Sequence, residues 1–160
     1  MKDLGLFTTT VTGGVGVLTG YTYLYLSKYL SPLAKKFTSL EWKIWSFSAL
    51  LTVASFLGII VWFSFYELLE DWKRDLFFSS LVVFLIGAIL WSLTIFYTMK
   101  FKRSIYTQLP ALTITSLGAL GILLSIIYSS DNALLITAGG ILLFHHLVFD
   151  NIYWVTINSR

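Results

Sequence analysis

The stretch LFFSSLVVFLIGAILWSLTIFYTM, residues 76–99, is 24 residues long and contains no charged side chain. At a rise of roughly 1.5 Å per residue, a helix of this length crosses the ~30 Å hydrocarbon core of a bilayer. Apolar side chains would cover every face of that helix, whereas a helix of a soluble bundle carries a single apolar stripe. The stretch therefore predicts a membrane-spanning helix.

Four other parts of the chain have the same character. The five apolar runs cover residues 4–26, 44–66, 76–99, 109–128 and 133–154. Hydrophobic residues make up 57% of the 160 residues and charged residues 12%, which is about half the charged fraction of a soluble domain. We therefore expect an all-α integral membrane protein, with residues 1–160 forming a single transmembrane domain, a bundle of five transmembrane helices.

The segment between the first two runs predicts a short additional helix over residues 32–41. Ser31 and Pro32 are typical of an N-cap and a first helical residue. Apolar residues then recur at helical spacing, while Lys35 and Lys36 lie off that stripe. This pattern is typical of an interfacial amphipathic helix whose lysine side chains reach toward lipid phosphates.

Basic residues are distributed unevenly between the two sides of a five-span chain. One side receives eight of them: Lys28, Lys35, Lys36, Lys43, Lys100, Lys102, Arg103 and Arg160. The other receives three: Lys2, Lys73 and Arg74. Because cytoplasmic loops carry the excess of lysine and arginine, we expect the N-terminus outside and the C-terminus in the cytoplasm. The sequence does not identify the host membrane.

Several functional classes find no support in the sequence. There is no cysteine, which excludes disulfides, thiolate metal sites and cysteine nucleophiles. Phosphate-binding loops, a serine nucleophile elbow and a paired-histidine zinc helix are also missing. The few loop lysines do not form a nucleic-acid-binding surface. We therefore expect no enzymatic activity of the chain alone, although it could be a subunit of a membrane enzyme complex.

Small residues recur on two of the predicted spans. The candidates for helix packing are Thr8, Thr12, Gly16 and Gly20 in the first run and Thr115 and Gly118 in the fourth. Ridges of small residues let two helix backbones approach closely in lipid. The partner could be another helix of the same bundle or another subunit, and the sequence leaves both possibilities open.

One group of polar residues lies inside a predicted span. His145, His146, Asp150 and Asn151 interrupt the fifth apolar run. An ionised aspartate at the centre of a span costs roughly 2.5–3.5 kcal/mol, so it normally faces a partner or water. His146 lies four residues before Asp150 and therefore on the same face of an α-helix, where it could donate its imidazole N–H to the carboxylate. His145 is expected to point about 100° away.

This polar group allows four interpretations. It could be a hydrogen-bonded network that locks the fifth helix in place, or part of a proton or cation pathway. His146 and Asp150 have the spacing of metal ligands, although no third ligand is evident. Haem held by two histidines would need a second imidazole from another helix, which a symmetric dimer could supply. The sequence requires no metal, haem or other cofactor.

The sequence favours one function over two alternatives. With no extramembrane domain and no complete catalytic group, we expect a non-catalytic accessory subunit of a larger membrane protein complex, in contact with lipid and with other membrane subunits in a hetero- or homo-oligomer. The first alternative is a small proton or cation channel or carrier that uses His146 and Asp150. The second is an intramembrane metal- or haem-binding subunit.

Overall fold

The computed structural model of the chain describes residues 3–66 and 69–159, and over these residues it contains helices joined by short turns and no strand. The α-helices are α1 (Leu4–Leu26), α2 (Leu30–Ala34), α3 (Ser39–Val61), α4 (Asp71–Lys100), α5 (Leu109–Ser129), α6 (Ala133–Phe144) and α7 (Val155–Ser159). π-Helical segments continue α3 over Trp62–Tyr66 and connect α6 to α7 over His145–Trp154. A 3₁₀ turn over Ile105–Gln108 precedes α5.

Four of these helical segments are long and apolar enough to cross a membrane: Ser39–Tyr66, Asp71–Lys100, Ile105–Ser129 and Ala133–Ser159. They correspond to the second to fifth apolar runs of the sequence. Helix α1, with 23 residues, is not among them. It contains six threonines and five glycines, which lower its hydropathy relative to the other four.

The helix between the first two runs is shorter than the sequence predicts. In place of one helix over residues 32–41 capped by Ser31, α2 begins at Leu30 with Ser31 inside it and ends at Ala34, and a new helix begins after Thr38. The Thr38 side chain accepts from the Glu41 backbone N–H, and Glu41 accepts from the Thr38 N–H at 2.8 Å. This reciprocal capping box fixes the start of α3, so residues 39–41 belong to α3.

Helix α4 lies between α1 and α5. At the α4–α5 contact the two backbones are so close that a Cβ at Gly87 would meet the Thr115 backbone, and one at Gly118 would meet the Phe84 backbone. Helix α1 packs on another face of α4 through glycines: Gly16 lies against Ile89 and Gly20 against Ser92.

The packing candidates from the sequence therefore divide into two groups. Gly16, Gly20, Thr115 and Gly118 contact neighbouring helices of the same chain, whereas Thr8 and Thr12 are exposed on α1. Close approach at glycine is the geometry by which apolar helices gain van der Waals contact in lipid.

The remaining helices enclose the polar residues of the fifth run. The segment Ala133–Ser159 packs between α3 and α5. The interior consists of two hydrophobic clusters, one that includes Phe84 and one that includes Trp154, with Trp45 packed against the second. The histidines lie where the two clusters meet, because His146 packs on Phe84 and His145 on Trp45.

Candidate functional site: a buried carboxylate between two histidines

The polar residues lie in the π-helical segment His145–Trp154. In a π-helix the backbone bonds run from residue i to i+5, and such segments occur frequently at functional sites. The side chain of Asn151 donates to the main-chain carbonyl of His146 at 2.9 Å. Asn151 thus donates a hydrogen bond to a main-chain carbonyl of the π-helical segment, where the backbone hydrogen bonds differ from those of an α-helix.

Asp150 is fully buried and is the centre of the site. Its Oδ2 lies 2.7 Å from His146 Nδ1, and its Oδ1 accepts from the indole N–H of Trp45 at 3.3 Å. His145 Nε2 approaches Oδ1 at 3.5 Å. Three nitrogen atoms from two helices therefore surround the carboxylate and replace the water that it would have outside the protein.

The orientation predicted for His145 is wrong. A straight α-helix would turn His145 about 100° away from the face of Asp150, yet the structure brings its ring to the carboxylate. The reason is the π-helical backbone, which places residues five apart on one face. Ser48 of α3 holds the other ring nitrogen of His145, with Oγ 2.9 Å from Nδ1.

His146 has one nitrogen without a hydrogen-bond partner. Because an ionised carboxylate can only accept, its contact with Asp150 assigns the proton to Nδ1 of His146. Nε2 is buried and has no hydrogen-bond partner among the described residues. In the neutral imidazole this atom carries a lone pair, so the site holds a base whose conjugate acid would lie 2.7 Å from a carboxylate oxygen.

Asn151 faces away from Asp150 and toward α5. Besides the His146 carbonyl, its amide donates to Ser116 Oγ at 2.7 Å and to the Leu112 carbonyl at 3.2 Å. Asn151 therefore anchors the π-helical segment to α5. The four polar residues selected from the sequence thus form two connected parts: a His–Asp–His cluster facing α3, and an asparagine anchor facing α5.

A cavity of about 750 Å³ adjoins the cluster between α3 and α6. Its walls are almost entirely apolar, including Phe47, Ile141 and Phe149, and Ser48 lies among its lining residues. Because the Ser48 hydroxyl also contacts His145, the cavity and the buried cluster share one polar side chain.

The cluster fits a hydrogen-bonded site better than a metal centre. The two imidazoles and the carboxylate each offer a ligand atom within 4.8 Å of the others, so the three residues could converge on one ion. However, both Asp150 oxygens already accept hydrogen bonds, one of them at 2.7 Å. Bis-histidine haem is not supported within one chain, since both imidazoles come from adjacent residues of one helix.

Sequence reasoning missed the residues that complete the site from α3. Trp45 and Ser48 lie 105 and 97 residues before their partners, and no short-range pattern reveals such pairs. It also missed a second buried polar group, in which Gln108 Oε1 accepts from the indoles of Trp91 and Trp154, both at 3.1 Å. Trp91 lies well inside its apolar run, where its indole N–H needs a hydrogen-bond partner. This position was the signal in the sequence for a second buried polar group.

Comparison with known proteins gives no relative: no protein family matches the chain, and no curated protein or solved structure shows significant similarity to it.

Proposed function

We propose that this chain is a multi-pass membrane protein that takes up and releases one proton, or one small cation in its place, at His146 and Asp150, acting as a small channel or carrier. The observation that supports the proposal is the buried Nε2 of His146, which has no hydrogen-bond partner within residues 3–66 and 69–159 and whose other ring nitrogen bonds to Asp150. The hydrogen-bond geometry leaves this atom as the vacant proton acceptor of the cluster.

Charge balance gives the reason for uptake. With Asp150 ionised and both imidazoles neutral, the cluster carries one negative charge in the buried interior of the bundle. One proton on His146 Nε2 would create an imidazolium beside the carboxylate and bring the net charge to zero. A net charge in the bilayer interior is costly, and binding of one cation brings the cluster to neutrality. The negatively charged cluster is therefore expected to take up one cation. Tyr21 of α1 is close enough to Asp150 for an electrostatic interaction between the two groups.

We further propose that α1 is a fifth crossing, with the N-terminus outside and the C-terminus in the cytoplasm. Helix α1 runs alongside α4 in the same direction, with Asp3 beside Arg74 at one end and Tyr23 beside Phe96 near the other. Helix α4 is long and apolar enough to span a bilayer. Because α1 lies beside α4 between these two contacts, we infer that α1 crosses the same bilayer. The eight basic residues on one side supply the orientation.

The test is proton flux into proteoliposomes that contain the purified protein and an internal pH dye. We expect the wild-type protein to dissipate an imposed pH gradient, and the Asp150→Asn and His146→Leu variants to lose that flux. Asp131→Asn is the matched control, because Asp131 is exposed in the α5–α6 turn and the same change there should leave flux unchanged. Wild-type vesicles as tight as empty ones would overturn the proposal.

The second candidate function is a non-catalytic accessory subunit of a larger membrane complex. Helix α3 supports it, because only Thr52, Ile59 and Ile60 are buried within it and its outer face is a continuous apolar surface. Cross-linking in native membranes, followed by extraction in mild detergent, tests this role. Recovery with other subunits at constant stoichiometry supports it, whereas recovery as a monomer contradicts it.

The metal- or haem-binding alternative is supported only by the proximity of the three ligand atoms. Metal analysis and an absorption spectrum of the purified protein test it. Stoichiometric metal or a Soret band would favour it, and the absence of both would reject it.

A further inference from the structure

A small pocket lies at the end of the bundle opposite Asp3, where α2, the end of α4 and α7 meet. It has a volume of about 280 Å³. Its basic lining residues are Lys36, Lys102 and Arg103, and its other lining residues include Leu33, Met99 and Ile105. The pocket thus combines three cations with an apolar wall, and among the residues that the structure describes no carboxylate lines it.

The three cations have no acidic partner in the part of the chain that the structure describes. Lys36 Nζ donates to the main-chain carbonyl of Asn158 at 2.6 Å, which holds the ammonium at the pocket without neutralising it. The negative end of the α4 dipole amounts to about half a charge. The pocket therefore keeps a clear positive charge.

The backbone conformation after α4 brings Lys102 and Arg103 to the pocket. Lys102 has a φ of 50°, the left-handed conformation that ends many helices, and Arg103 N–H donates to the Thr98 carbonyl at 2.9 Å. Glycine is the usual residue at such a position because a side chain there is strained. In this chain a lysine occupies it, directly beside Arg103 at the mouth of the pocket.

We propose that this pocket binds the phosphate-bearing headgroup of an anionic phospholipid. This inference is independent of the proton site. The pocket lies at the end of a membrane-spanning helix, close to the exposed aromatic residues Tyr97, Phe101 and Tyr106, which are typical of the headgroup level. Basic pockets between helices at this depth bind anionic headgroups. The apolar wall formed by Leu33 and Met99 favours a lipid over a free phosphate ion, because acyl chains can continue from the headgroup along it.

The experiment is native mass spectrometry of the full chain released from vesicles of phosphatidylcholine mixed equally with phosphatidylglycerol. We expect retained phosphatidylglycerol at a stoichiometry near one. The Lys102→Gly and Arg103→Gln variants should each weaken retention about fivefold, equal to about 1 kcal/mol per removed cation. Lys102→Gly keeps the left-handed helix cap, so its loss of lipid would not result from unfolding. Arg103→Lys keeps the charge and should retain the lipid.

Lys35→Gln is the matched control, because Lys35 is exposed next to Lys36 but does not line the pocket. An equal loss of lipid retention in this variant and in the pocket variants would show that the effect depends on general surface charge, and it would overturn the proposal.

A second experiment compares the lipid with inorganic phosphate. If phosphate alone raises the melting temperature in detergent as much as phosphatidylglycerol does, the pocket is a free-phosphate site and the lipid assignment is wrong. Undiminished lipid retention in a variant that combines Lys102→Gly with Arg103→Gln would also overturn it.

Discussion

A carboxylate buried inside an apolar helix bundle is stable only when N–H donors replace its lost water. For Asp150 these donors are Trp45 and His146, with His145 nearby, so removal of the carboxylate would leave several buried donors unpaired. We expect Asp150→Ala to lower the free energy of unfolding by about 3 kcal/mol. Thermal unfolding in detergent, followed by circular dichroism, measures the change. Asp131→Ala, in an exposed turn, should have almost no effect, and an equal loss in both variants would contradict this account.

A second residue-scale prediction concerns Asp3, which caps α1. Burial raises the pKa of this carboxyl, but the Leu6 N–H and the Arg74 guanidinium lower it more, so the pKa in the folded protein lies below its ordinary value of 3.8. A group with a lowered pKa stabilises the fold above its unfolded pKa, and this contribution is lost as the pH falls through the folded value. We therefore expect stability to decrease below about pH 4.

Asp3→Asn tests this pH dependence because asparagine keeps the helix cap but cannot ionise. The variant should be less stable than the wild type by about 1 kcal/mol at neutral pH, since Arg74 is half-exposed, and its stability should vary less with pH below 4. Chemical unfolding at several pH values provides the measurement. Asp75→Asn, an exposed neighbour in α4, is the control and should retain the wild-type pH dependence.

At the scale of elements, the close approach of α4 and α5 depends on glycine. A Cβ at Gly118 would meet the Phe84 backbone, so the helices would have to separate. We expect Gly118→Ala to destabilise the protein by about 2 kcal/mol. Gly58→Ala is the matched control, because outside its own stretch of α3 no described atom lies within 4 Å of its Cβ position. There alanine should stabilise the helix by up to about 1 kcal/mol. Destabilisation of similar size in both variants would show that packing at Gly118 is not the cause.

A comparison of the apolar runs with the observed helices shows which parts of the fold the sequence could predict. Long apolar runs predicted the second to fifth helices, because length and composition alone decide whether a helix can span a bilayer. The spacing of His146 and Asp150 placed them on one face, which holds in α- and π-helices alike. Helical periodicity could not reveal that residues 145–154 are π-helical. The sequence therefore could not predict that His145 lies beside Asp150. Nor could it pair Asp150 with Trp45, because that contact depends on how α3 packs against the fifth run.

At the scale of the whole molecule, the number of crossings decides which side of the membrane each chain end occupies. The Asp3 backbone N–H donates to the Ser64 carbonyl near the end of α3, whereas Asn158 contacts Lys36 before the start of α3. The two described ends of the chain therefore lie at opposite ends of the bundle. In a membrane, this arrangement favours the proposed odd number of crossings, with α1 as the fifth.

Single cysteines in this cysteine-free chain test the topology without background labelling. Leu4→Cys and Asp131→Cys should react with a membrane-impermeant maleimide in intact cells, whereas Lys35→Cys and Ser159→Cys should react only after permeabilisation, because positive loops remain in the cytoplasm. All four positions are exposed, so a difference in labelling reports sidedness and not burial. Reaction of Leu4→Cys together with Lys35→Cys would show that α1 does not cross. Helix α1 could then not accompany α4 through the bilayer, and its contacts with α4, such as Gly20 against Ser92, could not form there.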